Sequence, residues 1–257
     1  MARVFITGSS DGLGLMAGQL LADQGHTVVL HARNGARAAD AENAAPNAEA
    51  VVVGDLASIA ATKELAVQVN ALGRFDAVIH NAAVGYREGH RVTSDDLPHV
   101  FAINTLAPYI LTALIERPKR LVYLSSGMHE RARANLDDIL WRKRPWDGSS
   151  AYAESKLHDV MLAFAVARLW PDVLSNALTP GWVPTKMGGA SAPDDIAQAH
   201  LTQAWLATSD EGAARTTGGY FHHLKRREPN PETRDSALQD RLADLCRKIS
   251  GVSLPRA

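Results

Sequence analysis

The chain has 257 residues, 46% of them hydrophobic, a net charge of −1 and a sequence pI of about 6.8. One large core fits in that length, and the even charge balance sets up no long-range field for nucleic acid or an anionic membrane. A single cysteine, Cys246, excludes an internal disulfide framework and a Cys-rich metal site, and no apolar run approaches the roughly 20 residues that span a bilayer, so a soluble cytoplasmic protein without a resident metal is expected.

Residues 3–7 are strand-like and end in Thr7-Gly8, and residues 13–23 form an amphipathic run that reads as a helix. Between them lie Ser10, Asp11, Gly12, Leu13 and Gly14. Strand, glycine turn and helix N-terminus in that order build an anion site, because unpaired N–H groups face the ligand and glycines let the backbone approach a pyrophosphate. An ordinary strand-to-helix turn has the same outline, and Gly8, Gly12 and Gly14 depart from the plain G-x-G-x-x-G spacing.

Residues 27–31 are a short β-branched run, the second strand, followed by Arg33 and Asn34. In a dinucleotide fold an acidic residue here receives the 2′-OH of NAD, whereas an arginine accommodates the 2′-phosphate of NADP. No carboxylate stands between residues 30 and 39, so NADP is favoured over NAD, with a solvated arginine as the competing reading. Residues 36–47 read as a weak helix or loop. Residues 49–53 are a third strand leading into Asp55 and Leu56, where Asp55 either caps a helix over 58–72 or meets an adenine amino group. Residues 75–80 are a fourth strand, running into Asn81, Ala82 and Ala83. This alternation implies a single-domain, Rossmann-type doubly wound α/β fold over 1–257, with a parallel sheet, helices on both faces and ligand beyond the carboxyl ends of the strands.

Residues 94–115 read as one long helix, with Ser94 as N-cap and a kink at Pro108 near Asn104. Residues 120–124 are the fifth strand, ending in Ser125-Ser126. The polar stretch 127–150 carries Trp141 and Trp146, and its basic run 142–144 reads as a solvated face. Residues 151–170 are the strongest helix, and Tyr152 and Lys156 share one of its faces near the start. A sixth strand over 173–178 leads into Pro180, Gly181, Val183 and Thr185. A helix over 194–207, a strand over 219–222 and a closing helix over 235–249 complete the chain. The long helices 94–115 and 151–170 could pair across a homodimer.

Taken together, these residues resemble the short-chain dehydrogenase/reductase family over essentially the whole chain. Thr7-Gly8 with Gly12-Leu13-Gly14 looks like that family's cofactor loop. Asn81-Ala82-Ala83-Val84 looks like its Asn-Asn-Ala-Gly motif, although His80 replaces the first asparagine and Ala83 the glycine. Asn104, Ser126, Tyr152 and Lys156 match its catalytic tetrad, and Pro180-Gly181 with Thr185 matches the segment that closes on the nicotinamide. The 26 positions from Ser126 to Tyr152 and the ending Gly218 to His222 look like retinol-dehydrogenase-like and WW-domain-oxidoreductase-like members.

The resemblance implies an NADP(H)-linked oxidoreductase acting on an apolar carbonyl or alcohol. Tyr152 would be general acid or base, and Lys156 would lower its pKa. Ser126 would hold the substrate oxygen, and Asn104 would position a water beside Lys156. Bringing a phenol from about 10 to about 7 takes roughly 4 kcal/mol of preference for the phenolate. Trp141, Trp146, Trp182, Val183 and Met187 are candidate pocket residues. A non-catalytic NADP-binding regulator or scaffold is the alternative from another class. A sugar-nucleotide epimerase is the alternative within enzymes, but the 76 residues after Gly181 leave little room for its larger C-terminal domain.

Overall fold

Strand residues alternate between two buried layers, which is the period-two pattern of a sheet covered on both faces. Val4 and Ile6 join Val28, Leu30, Ala77 and Ile79 under one layer of helices, whereas Phe5, Val29 and Val78 face the other. The computed structural model describes residues 1–255. Within them β1 (Arg3–Ile6), α1 (Gly12–Asp23), β2 (Thr27–Ala32), α2 (Gly35–Ala44), β3 (Ala50–Val53), α3 (Ile59–Ala71) and β4 (Ala77–His80) alternate as expected. A helical segment follows, made of α4 (His99–Phe101), a π-helical stretch Ala102–Leu106 and α5 (Ala107–Leu114). Then come β5 (Arg120–Leu124), α6 (Gly148–Leu169) and β6 (Leu174–Thr179). The chain closes with α7 (Ile196–Ala199), α8 (Leu201–Thr208), β7 (Tyr220–His222), β8 (Lys225–Arg227) and α9 (Ser236–Ser250).

The sheet order is β3-β2-β1-β4-β5-β6-β7-β8, parallel up to β7, with β8 antiparallel at the edge. The strand order reverses between the parallel neighbours β1 and β4, which opens a crevice at the carboxyl ends of the strands, where such folds bind ligand. Helices α1, α2 and α8 cover one face, while α3, α5, α6 and α9 cover the other.

The structure departs from these expectations at four places. The helix expected from Ser94 begins at His99: Asp96 takes φ +58°, Pro98 precedes the first turn, and the Asp95 carboxylate instead accepts the Ile59 N–H at 2.7 Å. The irregularity near Asn104 is a π-helical turn, Ala102–Leu106, and Pro108, which has no N–H to give back to it, follows directly in α5. Strand β8 was not foreseen, because Lys225-Arg226-Arg227 shows no apolar alternation; it is an exposed, charged edge strand. Helix α6 starts three residues early, capped by Asp147, whose carboxylate accepts the Ser150 N–H at 2.7 Å.

Helix α6 is buried almost throughout from Ala151 to Val166, and α9 packs along it. No helix among the described residues is long and apolar enough to cross a membrane.

Candidate functional site

A cleft of about 860 Å³ opens at the carboxyl ends of the strands. Its floor is the turn after β1. Gly8 and Gly12 have φ +61° and +55°, and a Cβ on Gly8 would stand 2.7 Å from the Ala82 Cα, so glycine is required there twice over. Gly14 is buried outside the lining, where it lets α1 close against the Asn81 side chain. Asn81 Nδ2 donates to the carbonyls of Thr7 and Gly8, both at 2.9 Å, and Thr7 Oγ1 accepts the N–H groups of Asn81 and Ala82. Asn81, Ala82 and Ala83 all line the cleft.

His31 is a tie the sequence did not single out. Its Nδ1 accepts the Gly8 N–H at 2.9 Å and its Nε2–H donates to the Gly54 carbonyl at 2.8 Å. One nitrogen accepts and the other donates, so the ring is neutral, and burial holds its pKa below the ordinary histidine value.

Ser10, Asp11, Gly12 and Leu13 form one rim of the cleft, and Arg33, Asp55 and Leu56 lie along it. Arg37 joins them and was not foreseen. A cation in the first turn of α2 opposes the helix dipole, and that was the available signal that Arg37 has another use. Its guanidinium meets Asp11 at 2.7 Å and Asp40 at 2.6 Å. Asn34, expected at the cofactor, caps α2 instead: its Oδ1 accepts the Arg37 N–H at 3.0 Å, and it does not line the cleft. Asp55 does not cap α3, since Ser58 does; its Oδ1 accepts the Ala57 N–H at 3.0 Å. Lys186 reaches Asp11 across the cleft mouth at 2.8 Å. Burial pushes the Asp11 carboxyl up, but Lys186 and Arg37 outweigh it and hold the group below the usual carboxylate range.

Tyr152 and Lys156 stand together at the inner wall, 7% and 2% exposed. Lys156 Nζ lies 5.8 Å from the centre of the Tyr152 ring. It donates to the Leu124 carbonyl and to Asp159 Oδ2, both at 2.8 Å. Burial pushes the Tyr152 phenol up from its ordinary value, against Lys156 and the Ser126 hydroxyl, while Asp159 and Tyr86 add to the rise. Ser126 sits outside the cleft lining, with its Oγ accepting the Met128 N–H at 3.3 Å; its neighbour Ser125 lines the cleft and donates to the Lys156 carbonyl. Asn104 is fully buried with its carboxamide committed. Oδ1 accepts the Val84 N–H at 2.9 Å, while Nδ2 donates to the Val84 carbonyl and the Ser155 hydroxyl, each at 3.0 Å. Its side chain therefore braces the segment after β4.

The segment after β6 supplies Pro180, Thr185, Lys186 and Met187 to the cleft. Gly181 and Val183 do not line it: Gly181 takes φ +89° against Asp194, and Val183 is buried. Of the five residues expected in an apolar substrate pocket, only Met187 reaches the cleft. Trp141 and Trp146 meet edge to face at 5.3 Å and pack the 127–150 insertion onto α4 and α6. Trp182 is half exposed, its Nε1 donating to the Gly188 carbonyl at 2.9 Å. Arg144, expected to be solvated, lies 3.5 Å over the Trp141 ring and pairs with Glu154. The lining also includes Arg91, His99 and Ile103, which neither composition nor spacing marks as site residues.

The family model described as short chain dehydrogenase matches residues 2–126. An uncharacterized oxidoreductase of Emericella nidulans is 45% identical over 99% of each chain. Retinol dehydrogenase 13 of Homo sapiens is 29% identical over 98% of this chain and 85% of that one. An uncharacterized protein from Mycobacterium paratuberculosis superposes with a TM-score of 0.84 at 24% identity, covering 99% of this chain and 95% of that one. A blue fluorescent protein from a metagenomic library, solved with NADPH, gives 0.69 at 22% identity, covering 86% and 95%.

Proposed function

The chain belongs to the short-chain dehydrogenase/reductase family and is an oxidoreductase of that family with retinol-dehydrogenase-like relatives, and from that premise we propose that it is an NADPH-dependent carbonyl reductase. The observation that carries this reading is the placement of Tyr152 and Lys156 in the same cleft as the glycine cradle and two arginines.

The cleft fits a dinucleotide. Gly8 and Gly12 leave the cradle free of side chains, and the α1 N-terminus carries N–H groups toward it. Arg33 and Arg37 hold the 2′-phosphate, and Asp55 and Leu56 flank the adenine end. NADPH, when bound, supplies the hydride.

The protein's own part is protonation and orientation. The Tyr152 phenol carries the proton that a carbonyl oxygen needs, with Lys156 beside its ring and Asp159 paired to that lysine. In the reductive direction it donates to a carbonyl oxygen, with the Ser126 hydroxyl within hydrogen-bonding reach of the phenol. Lys156 keeps one N–H free after serving Leu124 and Asp159, and that N–H is available to a ribose hydroxyl. Asn104 keeps the wall beside Tyr152 in place through Val84 and Ser155.

The test is to measure binding of NADPH and NADH by tryptophan quenching and then to follow NADPH oxidation with a panel of aryl and alkyl ketones. NADPH-selective binding with Tyr152-dependent turnover is expected. Absence of binding to either cofactor would overturn the enzyme reading and leave the scaffold alternative.

A further inference from the structure

His99, in the cleft lining, and Glu88 form a pair that the hydride-transfer reading does not use. His99 Nδ1 lies 2.8 Å from Glu88 Oε1, and the two side chains are 13% and 17% exposed. A carboxylate only accepts hydrogen bonds, so in the neutral ring Nδ1 carries the hydrogen and Nε2 carries the lone pair. The ring lines the cleft, and Nε2 has no protein partner among the described residues.

The pair is held from outside the cleft. The indole Nε1 of Trp146 donates to the Glu88 carbonyl at 3.1 Å, and the Trp146 ring stacks on His90 at 4.8 Å. Gly148 lets α6 start directly beneath, since a Cβ there would come within 2.5 Å of the same carbonyl. Arg91 contacts the Glu88 carboxylate at 3.2 Å and balances its charge. The 127–150 insertion thus fixes the loop that sets the tautomer of His99. The cleft that His99 lines also carries the apolar side chains of Ile103 and Met187, and the nearby Arg91 is committed to Glu88.

We propose that His99, oriented by Glu88, selects carbonyl substrates that carry a hydrogen-bond donor, a hydroxyl or amide N–H, away from the reacting carbon. The proposal rests on the carbonyl-reductase reading for the identity of the reacting group. A substrate lacking the donor leaves Nε2 desolvated and unpaired, which is how a site built around one polar atom rejects an analogue.

The experiment uses the ortho, meta and para isomers of hydroxymethyl-acetophenone and their methyl ethers, titrated calorimetrically into NADP⁺-saturated enzyme. At least one hydroxymethyl isomer should bind about tenfold more tightly than its ether, the effect of one hydrogen bond. His99→Phe should abolish that difference. His99→Gln, whose amide oxygen accepts, should retain part of it, and thermal melting of both variants reports folding. Equal affinities in every pair, no binding of any of the six ketones, or a preference that survives His99→Phe would overturn the proposal. Binding is read without turnover, so failure of all six ketones to oxidise NADPH would sink the reductase reading while leaving the affinity comparison to decide this one.

Discussion

Asp159 Oδ2 lies 2.8 Å from Lys156 Nζ, and both side chains are 3% exposed. The carboxyl is one turn further along α6, so the lysine that should favour the Tyr152 phenolate carries its own buried counter-charge. Burial raises the Asp159 carboxyl to about 6, against the pull of Lys156. In water such a pair is worth little, but in a buried site removing one partner exposes the whole charge of the other.

Asp159→Asn removes the counter-charge while keeping an acceptor for Lys156. The acidic limb of kcat/KM for alcohol oxidation, which rises as Tyr152 loses its proton, should move down by on the order of one pH unit. A limb that stays where it was would show that Asp159 does not govern the phenol. The expected readout is the profile, with NADPH affinity as the control for folding.

Tyr152→Phe keeps the ring against Tyr86, whose centre is 6.1 Å away, and removes only the hydroxyl. Turnover should fall by roughly 10²–10⁴-fold, the usual loss when a general acid is deleted, with NADPH binding nearly unchanged. Wild-type turnover in this variant would rule out Tyr152 as the proton donor.

Arg33→Ala and Arg37→Ala should each weaken NADPH binding by about tenfold or more while leaving NADH nearly untouched, since a charged hydrogen bond to phosphate contributes about 1.5–3 kcal/mol. Equal losses for both cofactors would place the arginines elsewhere than at the 2′-phosphate. Arg37→Ala also frees Asp11 from one of its two cations, so its apparent effect should be the more salt-sensitive of the two.

Three buried histidines are wired as neutral rings. His31, His129 and His158 each donate from one nitrogen and accept at the other. Burial lowers all three, His158 to about 4, and takes His80 to about 3. A lowered folded-state value means that the unfolded chain binds the proton first. Their stabilisation is therefore complete above about pH 6.5 and is lost as pH falls toward the folded values, at up to about 1.4 kcal/mol per pH unit per ring. Asp159, raised to about 6, runs the other way between about 6 and 3.8 and offsets one ring. The urea midpoint should fall steadily from pH 7 to pH 4.5, and a flat midpoint would contradict the neutral wiring.

Asn104→Ala leaves the Val84 N–H and carbonyl and the Ser155 hydroxyl without their partner. A loss of about 2–4 kcal/mol is expected, given 1–3 kcal/mol for each unsatisfied buried group, with a lower melting temperature as the readout. Unchanged stability together with lost activity would instead favour a role for Asn104 in the chemistry.

The sequence by itself determined the layer order, the glycine turn and the cofactor-binding edge. Strand periodicity and glycine spacing are local properties, and they survive folding because each element buries the face its own pattern prescribes. It also marked Tyr152 and Lys156, since four residues on a helix always share a face. Tertiary structure decided the rest. Whether Lys156 acts as a free charge depends on Asp159 being buried with it. Asn34 could cap or bind, and the start of α2 made it a cap. The tryptophans of the insertion were equally apolar in either role, and packing against α4 and α6 took Trp141 and Trp146 away from the cleft. Arg37, Arg91 and His99 entered the site through contacts with residues 11 and 88, which no local pattern connects. Charge pairing and burial depend on neighbours distant in the chain, so only the assembled fold could assign them.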